Sequence, residues 1–157
     1  MTMKPIVGAA SIVEQPDTIA PATPARSHFG VAENLIPAAK SLVAGPPAVS
    51  PALAFLCAHI LECLLKAYLL TAGVLEKELK APGKNHGLTA FWLRAVALGL
   101  PRSRTPPLWA ENLDRLHKGP NYYLRYSKGV HAVSVPAHEP MVSELAEILE
   151  IVRVRLT

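Results

Sequence analysis

Apolar residues recur at helical spacing along most of this 157-residue chain, and prolines and glycines interrupt the pattern at intervals. The pattern predicts five helices, which run over about residues 30–44, 50–73, 88–98, 106–118 and 140–156. Residues 121–136 have no helical period and are predicted to form an extended loop or a short hairpin. Helices joined by short connections predict an all-α fold, an up-and-down bundle of four to five helices.

The second predicted helix is hydrophobic on nearly every side, which is typical of the central helix of a bundle. Within it, His59, Glu62 and Lys66 are the strongly polar residues of a long apolar run. Their i, i+3, i+7 spacing places all three on one helical face, and we name them the polar seam. Glu62 and Lys66 also have the order and spacing of a helical ion pair. The polar seam is therefore a set of candidate binding residues.

The first 28 residues contain four prolines and no continuous helix or strand pattern. We interpret residues 1–28 as an extended, proline-rich arm that packs on the body of the protein or on a second subunit. Residues 29–157 then form the helical bundle. Pro37 lies inside the first predicted helix and is expected to shift its start or to kink it.

Composition places the chain among globular proteins, because 50% of its residues are hydrophobic and 18% are charged. The positive charge is concentrated in the middle. Residues 77–131, which we name the basic centre, hold ten Lys or Arg against three Asp or Glu, while the whole chain has a formal net charge of +4. A basic centre favours an anionic partner, with nucleic acid the first candidate. The alternative is a solvated cationic face without a partner.

The long apolar run of the second helix raises the question of a membrane span. Each polar-seam residue that carries a charge would cost roughly 2.5–3.5 kcal/mol at the centre of a bilayer, so we expect a helix buried in protein and no membrane. Cys57 and Cys63 lie six positions apart on that helix, where their side chains point in different directions and cannot bridge. Two buried thiols fit a reducing compartment, and the sequence predicts a cytoplasmic protein.

Motifs of the common enzyme classes are missing from the sequence: it has no Gly-rich phosphate loop, no H-E-x-x-H, no G-x-S-x-G and no paired-cysteine metal motif. The sequence therefore predicts no metal and no cofactor. His86, in the run K-N-H-G-L, is either a ligand or proton carrier, or a histidine that caps or packs against a helix. His28, His117 and His138 stand in no recognisable arrangement.

Three short motifs follow the order of the predicted elements: A-x-x-x-E-x-x-x-K-A-Y-L-L at 58–70, N-H-G-L at 85–88, and R-Y at 125–126. In this order they resemble the HEPN (higher eukaryotes and prokaryotes nucleotide-binding) family of small α-helical proteins, over about residues 28–156. The resemblance implies a helical bundle that usually dimerises, in bacterial toxin, defence or nucleotide-binding contexts. It also implies, for many members, metal-independent ribonuclease activity through an R-x(4–6)-H motif.

Arg125 and His131, with five residues between them, match that motif in spacing. In such a ribonuclease His131 would be the general base or acid at the ribose 2′-hydroxyl and the leaving oxygen. Arg125 would hold the scissile phosphate and the charge that develops on it. Further candidate RNA contacts are three tyrosines that stack on bases and one cation of the basic centre: Tyr122, Tyr123, Tyr126 and Lys128.

A non-catalytic interpretation of the same residues stays open. In it Arg125 anchors backbone carbonyls or pairs with Glu62 on the second helix, and His131 is an incidental loop histidine. The polar seam and the tyrosine-rich loop then bind another protein or a nucleotide without turnover. The expected partners are RNA or a nucleotide, a second copy of the chain in a homodimer, and a cognate antitoxin protein.

Overall fold

The computed structural model describes residues 22–81, 86–118, 123–124 and 134–157. Within those ranges the fold is all-α, with six helices and no strand, which confirms the prediction of an all-α protein. One of the six, a single turn after the central helix, has no counterpart in the five predicted helices. The helices are α1 (Pro24–Val43), α2 (Ser50–Thr71), α3 (Glu76–Leu79), α4 (Leu88–Ala97), α5 (Leu108–His117) and α6 (His138–Leu156).

Helix α1 begins six residues earlier than its hydrophobic pattern predicts. The side chain of Thr23 caps the helix by accepting a hydrogen bond from the backbone N–H of Arg26 at 3.3 Å, and Pro24 occupies the first helical position. Proline is favoured there because the N–H that it lacks has no helical partner anyway. The predicted extended arm is therefore wrong for residues 24–28, and residues 1–21 of that arm lie outside the described part of the chain.

Pro37 does not set the start of the first helix, which is one of the two effects predicted for it, and the other effect, a kink, stays a prediction. Helix α1 runs through Pro37 without a break. The side chain of Ser41, one turn later, donates a hydrogen bond to the carbonyl of Pro37 at 3.0 Å. The start of the helix is instead set by the cap at Thr23.

Helix α2 is the centre of the fold, as its all-round hydrophobic pattern predicts. Helices α1, α4, α5 and α6 all pack against it, and nearly every residue from Leu53 to Leu69 is buried. Its end is fixed by Gly73, whose φ of +89° is a left-handed conformation that favours glycine. The N–H of Val74 then donates to the carbonyl of Leu69 at 3.0 Å, which satisfies a carbonyl at the end of the helix.

The ends of three helices meet on one side of the fold. Arg26, near the start of α1, donates to the carbonyl of Leu156 at the end of α6, at 2.9 Å. Arg155 donates to the hydroxyl of Tyr68 on α2 at 2.9 Å, and its guanidinium lies 4.4 Å from the centre of that ring. The start of α1 therefore lies beside the C-terminal ends of α2 and α6. The positive charges of Arg26 and Arg155 stabilise the negative ends of these two helix dipoles.

Helix α2 belongs to a stretch, Pro47–Thr71, that is long and apolar enough to cross a membrane by length and composition. In the fold, 56% of the most apolar window of this stretch is buried inside the protein.

Cys57 and Cys63 are both buried, as predicted, and remain free thiols. Burial raises the pKa of the Cys57 thiol to about 12 and that of the Cys63 thiol to about 11. Both cysteines are therefore protonated and unreactive in the folded protein.

Candidate functional site

A group of four ionisable side chains, of which three are buried and one is partly exposed, lies where α2, α4 and α5 meet. The carboxylate of Glu62 is its centre. One oxygen, Oε1, accepts a hydrogen bond from the ammonium of Lys66 at 2.6 Å. The other, Oε2, lies 2.7 Å from His117 Nε2 and 3.1 Å from His86 Nδ1. We name Glu62, Lys66, His86 and His117 the Glu62 cluster.

Three separate elements place the cluster. Glu62 and Lys66 lie one turn apart on α2, so their ion pair confirms the predicted i, i+4 pairing. His117 is the last residue of α5, and His86 comes just before α4. The side chain of Asp114, one turn before His117, accepts a hydrogen bond from the backbone N–H of Leu88 at 2.6 Å. This bond caps α4 with a side chain of α5, so the segments that carry the two histidines are held together.

The charge of Glu62 is stabilised although its side chain is nearly inaccessible to solvent. The residue is 5% exposed, and burial alone would raise the pKa of its carboxyl group. The hydrogen bonds from His117, Lys66 and His86 outweigh burial and hold that pKa well below its usual range. The cluster is therefore a buried carboxylate that accepts hydrogen bonds from three nitrogen atoms.

Glu62 makes stability depend on pH in the acid range. Because its folded-state pKa lies below the ordinary value of 4.5, the carboxylate stabilises the fold at pH values above 4.5, and this contribution is lost as the pH falls below that value. The groups that face it are Lys66, His86 and His117. We expect the difference in free energy of unfolding between wild type and Glu62→Gln to shrink below pH 4.5. Urea unfolding at a series of pH values measures it, and a difference that persists unchanged in strong acid would contradict the prediction.

His117 is the most enclosed histidine of the cluster. It is 1% exposed, and its Nδ1 has no hydrogen-bond partner within the described ranges of the chain. An unsatisfied buried polar atom costs about 1–3 kcal/mol, which the bond from Nε2 to Glu62 has to offset. His86 is more accessible, with 26% of its side chain exposed, and its ring stands at 84° to that of His117 with the ring centres 5.7 Å apart.

The sequence shows His117 in no recognisable arrangement, but tertiary packing brings it to Glu62 across 55 positions of the chain. His86 likewise reaches Glu62 across 24 positions. One signal in the sequence pointed to His117. It follows the core residue Leu113 by four positions, so both lie on the buried side of α5.

The polar seam divides between two environments. Glu62 and Lys66 are buried in the Glu62 cluster and expose 5% and 7% of their surfaces, which leaves little for a large ligand to contact. His59 is half-buried, and its Nε2 lies 4.0 Å from Cys63 Sγ. Of the three predicted binding residues on α2, His59 is therefore the most accessible.

The other predicted site residues, Arg125, His131, Tyr122, Tyr126 and Lys128, lie outside the described residues. The two residues before Arg125 are described. Tyr123 is exposed, and the backbone N–H of Leu124 donates to the carbonyl of Leu116 at 3.3 Å. Leu116 directly precedes His117, so Leu124 lies beside the last turn of α5.

Part of the basic centre is neutralised by local acids. Four of its cations within residues 77–81 and 86–118 form ion pairs: Lys80 with Glu76, Arg94 with Glu78, Arg102 with Glu147 and Lys118 with Asp114. Because these pairs lower the local positive potential, the sequence count overstates the attraction that the described surface exerts on an anion.

Comparison with protein-family models, with curated proteins and with solved structures gives no match. Glu62, His86 and His117 each offer one ligand atom, and these three atoms all lie within 4.8 Å of one another. Two imidazoles and a carboxylate at such distances are able to share protons or to hold a cation.

Proposed function

We propose that the protein is an HEPN-like helical module that acts on RNA as a metal-independent ribonuclease, with Arg125 and His131 as the reacting groups. In this proposal the helices form an up-and-down bundle that works as a homodimer in the cytoplasm, and a cognate antitoxin protein controls it. The observation that carries the proposal is that two of the motifs behind the resemblance meet in space at the carboxylate of Glu62.

Those two motifs are separate in the sequence. One supplies Glu62 and Lys66 on α2, and the other supplies His86 in the N-H-G-L run. Their side chains meet where His86 Nδ1 lies 3.1 Å from Glu62 Oε2. The contact explains why one motif contains a glutamate and the other a histidine. A buried carboxylate needs hydrogen-bond donors from more than its own helix, and the histidine of the second motif is such a donor. If the two motifs matched the family only by chance, their side chains would not be expected to lie in contact.

The path of the chain also supports the proposal. The residue before Arg125 is tied to Leu116 in the last turn of α5, and the next residue of that turn, His117, bonds to Glu62. Leu124, which directly precedes Arg125 in the sequence, therefore lies close to the end of α5 that faces the Glu62 cluster. Tyr123, exposed at this point, is suited to stack on an unpaired base.

The proposed chemistry needs no metal. A histidine accepts the proton of the ribose 2′-hydroxyl as that oxygen attacks the neighbouring phosphorus, and a histidine returns a proton to the departing 5′-oxygen. The products are a 2′,3′-cyclic phosphate and a free 5′-hydroxyl. His131 is assigned to this proton transfer, and the guanidinium of Arg125 stabilises the phosphate oxygens as negative charge builds on them.

The test is incubation of the purified protein with mixed RNA in the presence of EDTA. We expect wild type to cleave the RNA, and we expect cleavage to be lost in His131→Ala and in Arg125→Ala. Matched controls are His138→Ala and Arg153→Ala, which remove the same kinds of side chain from α6, outside the basic centre. Both controls should cleave RNA at the wild-type rate.

The competing function is a binding module without turnover. Its described contact residues are the exposed Tyr123 and the half-buried His59, because Glu62 and Lys66 are buried and present little surface to a ligand. In that case wild type leaves RNA intact in EDTA, and RNA or a nucleotide is retained in an equilibrium binding measurement that weakens in Tyr123→Ala. Cleavage that is equal in wild type and His131→Ala would point to a contaminating nuclease and would remove the support for the ribonuclease proposal.

A further inference from the structure

We propose that Glu62, His86 and His117 form a binding site for one divalent transition-metal ion of the zinc class. The three candidate ligand atoms are Glu62 Oε2, His86 Nδ1 and His117 Nε2, which converge within 4.8 Å from α2, the start of α4 and the end of α5. The inference does not rest on the ribonuclease proposal, since it uses no residue of the Arg125–His131 motif.

The distances suit a small ion after a modest adjustment. Zinc binds imidazole nitrogen and carboxylate oxygen at about 2.0–2.2 Å, so two ligand atoms on one ion stand about 3–4 Å apart. Oε2 lies 2.7 Å from His117 Nε2 and 3.1 Å from His86 Nδ1. Glu62 Oε2 and His117 Nε2 therefore have to separate by several tenths of an ångström, and the two imidazole nitrogens have to lie no more than about 4 Å apart. His86 is placed to move toward the ion, because it is partly exposed and lies outside the helix that follows it.

The donor set selects the class of ion. Magnesium and calcium prefer oxygen ligands, whereas two imidazoles and one carboxylate are a common set for zinc and for iron(II). Three protein ligands leave a coordination position for water or another ligand. We take Zn²⁺ as the representative ion because it needs no particular geometry from its d electrons.

Lys66 acts on the site in two opposite ways. Its ammonium donates to Glu62 Oε1 at 2.6 Å, which orients the carboxylate and leaves Oε2 to face the histidines. Its positive charge also repels a cation. We therefore expect weaker binding than in a site with the same three ligands and no lysine. Binding also requires both coordinating nitrogens to be free of protons.

A metal ion at this position would link α2, the start of α4 and the end of α5 by coordination bonds. Without the ion, hydrogen bonds to Glu62 link these elements. The metal-free protein is expected to fold without it, because the Glu62 carboxylate already accepts hydrogen bonds from three nitrogen atoms. The ion would then raise stability in proportion to its free concentration.

The experiment is titration of the chelator-treated full chain with Zn²⁺ alone, followed by isothermal calorimetry and by thermal unfolding. We expect wild type to bind one equivalent and to unfold at a higher temperature when Zn²⁺ is present. His86→Ala removes a ligand at the partly exposed edge of the site and is expected to bind at least about tenfold more weakly. The matched control His138→Ala removes an imidazole from α6 and should bind as wild type does.

Titration with Co²⁺ distinguishes binding at this site from nonspecific binding at the protein surface. Cobalt bound at a site of low coordination number absorbs visible light strongly, and this absorption should appear in wild type and in His138→Ala but not in His86→Ala. The proposal is overturned if wild type binds no Zn²⁺, or if His86→Ala binds Zn²⁺ as tightly as wild type. Neither result depends on RNA, so the outcome is separate from that of the ribonuclease test.

Discussion

Glu62→Gln is expected to lower the free energy of unfolding by about 3–5 kcal/mol, because it leaves the ammonium of Lys66 buried without an opposite charge. Lys66 is 7% exposed and its ammonium lies 2.6 Å from the Glu62 carboxylate. Glutamine keeps the shape of the side chain but turns one acceptor oxygen into a donor amide. At least one of the three nitrogen atoms that now face the carboxylate then loses its acceptor.

Urea unfolding in EDTA measures this loss, and EDTA removes any contribution from bound metal. The matched control is Glu147→Gln, which removes the acid of an exposed ion pair with Arg102 at 2.7 Å and should cost no more than about 1 kcal/mol. The double variant Glu62→Gln with Lys66→Met should recover part of the stability, since it also removes the buried positive charge. Equal losses for Glu62→Gln and Glu147→Gln would show that the buried pair has no special energetic role.

Trp92→Ala is expected to lower the free energy of unfolding by about 3–5 kcal/mol, because it opens a large cavity in the core. Trp92 is 2% exposed, and its ring meets that of Trp109 edge to face with the ring centres 6.4 Å apart. Its indole nitrogen donates to the carbonyl of Ser103 at 2.9 Å. One side chain therefore joins α4 to α5 and to the loop between them.

The neighbouring residue supplies the control for this prediction. Leu93 is on the same helix but is 42% exposed, so Leu93→Ala should change the free energy of unfolding by less than about 1 kcal/mol. The slope of the unfolding free energy against urea concentration should stay the same in both variants, and the midpoint should fall in Trp92→Ala alone. Equal midpoints would mean that the core around Trp92 is looser than its burial indicates.

The helices could be predicted from the sequence because each depends on neighbours a few residues away. Helix α4 begins at the predicted residue, Leu88, and ends one residue early, since Gly99 follows with a φ of +97° that stops the helix. The ion pair of Glu62 and Lys66 is local in the same way. The start of α1 could also have been predicted, because Thr23 followed by Pro24 is a common pattern at the N-terminus of a helix. The other prolines nearby, however, are equally typical of a segment without helix.

The partners of Glu62 could not be predicted by the same means. His117 lies 55 positions away and His86 lies 24 positions away, and helical periodicity says only which side of each helix is buried. Which turn of α5 faces which turn of α2 depends on how the helices pack, and that packing depends on all the core side chains together. The polar seam therefore identified Glu62 and Lys66 as special without identifying the residues that complete their site.

The two cysteines of α2 give the protein a chemical reporter of its own unfolding. Alkylating reagents attack the thiolate form of cysteine, and burial keeps both thiols protonated and out of reach in the folded chain. The rate at which both become labelled is therefore set by how often the central helix is exposed to solvent. Intact-mass counting of added labels converts that rate into the stability of the innermost part of the fold, without any engineered probe.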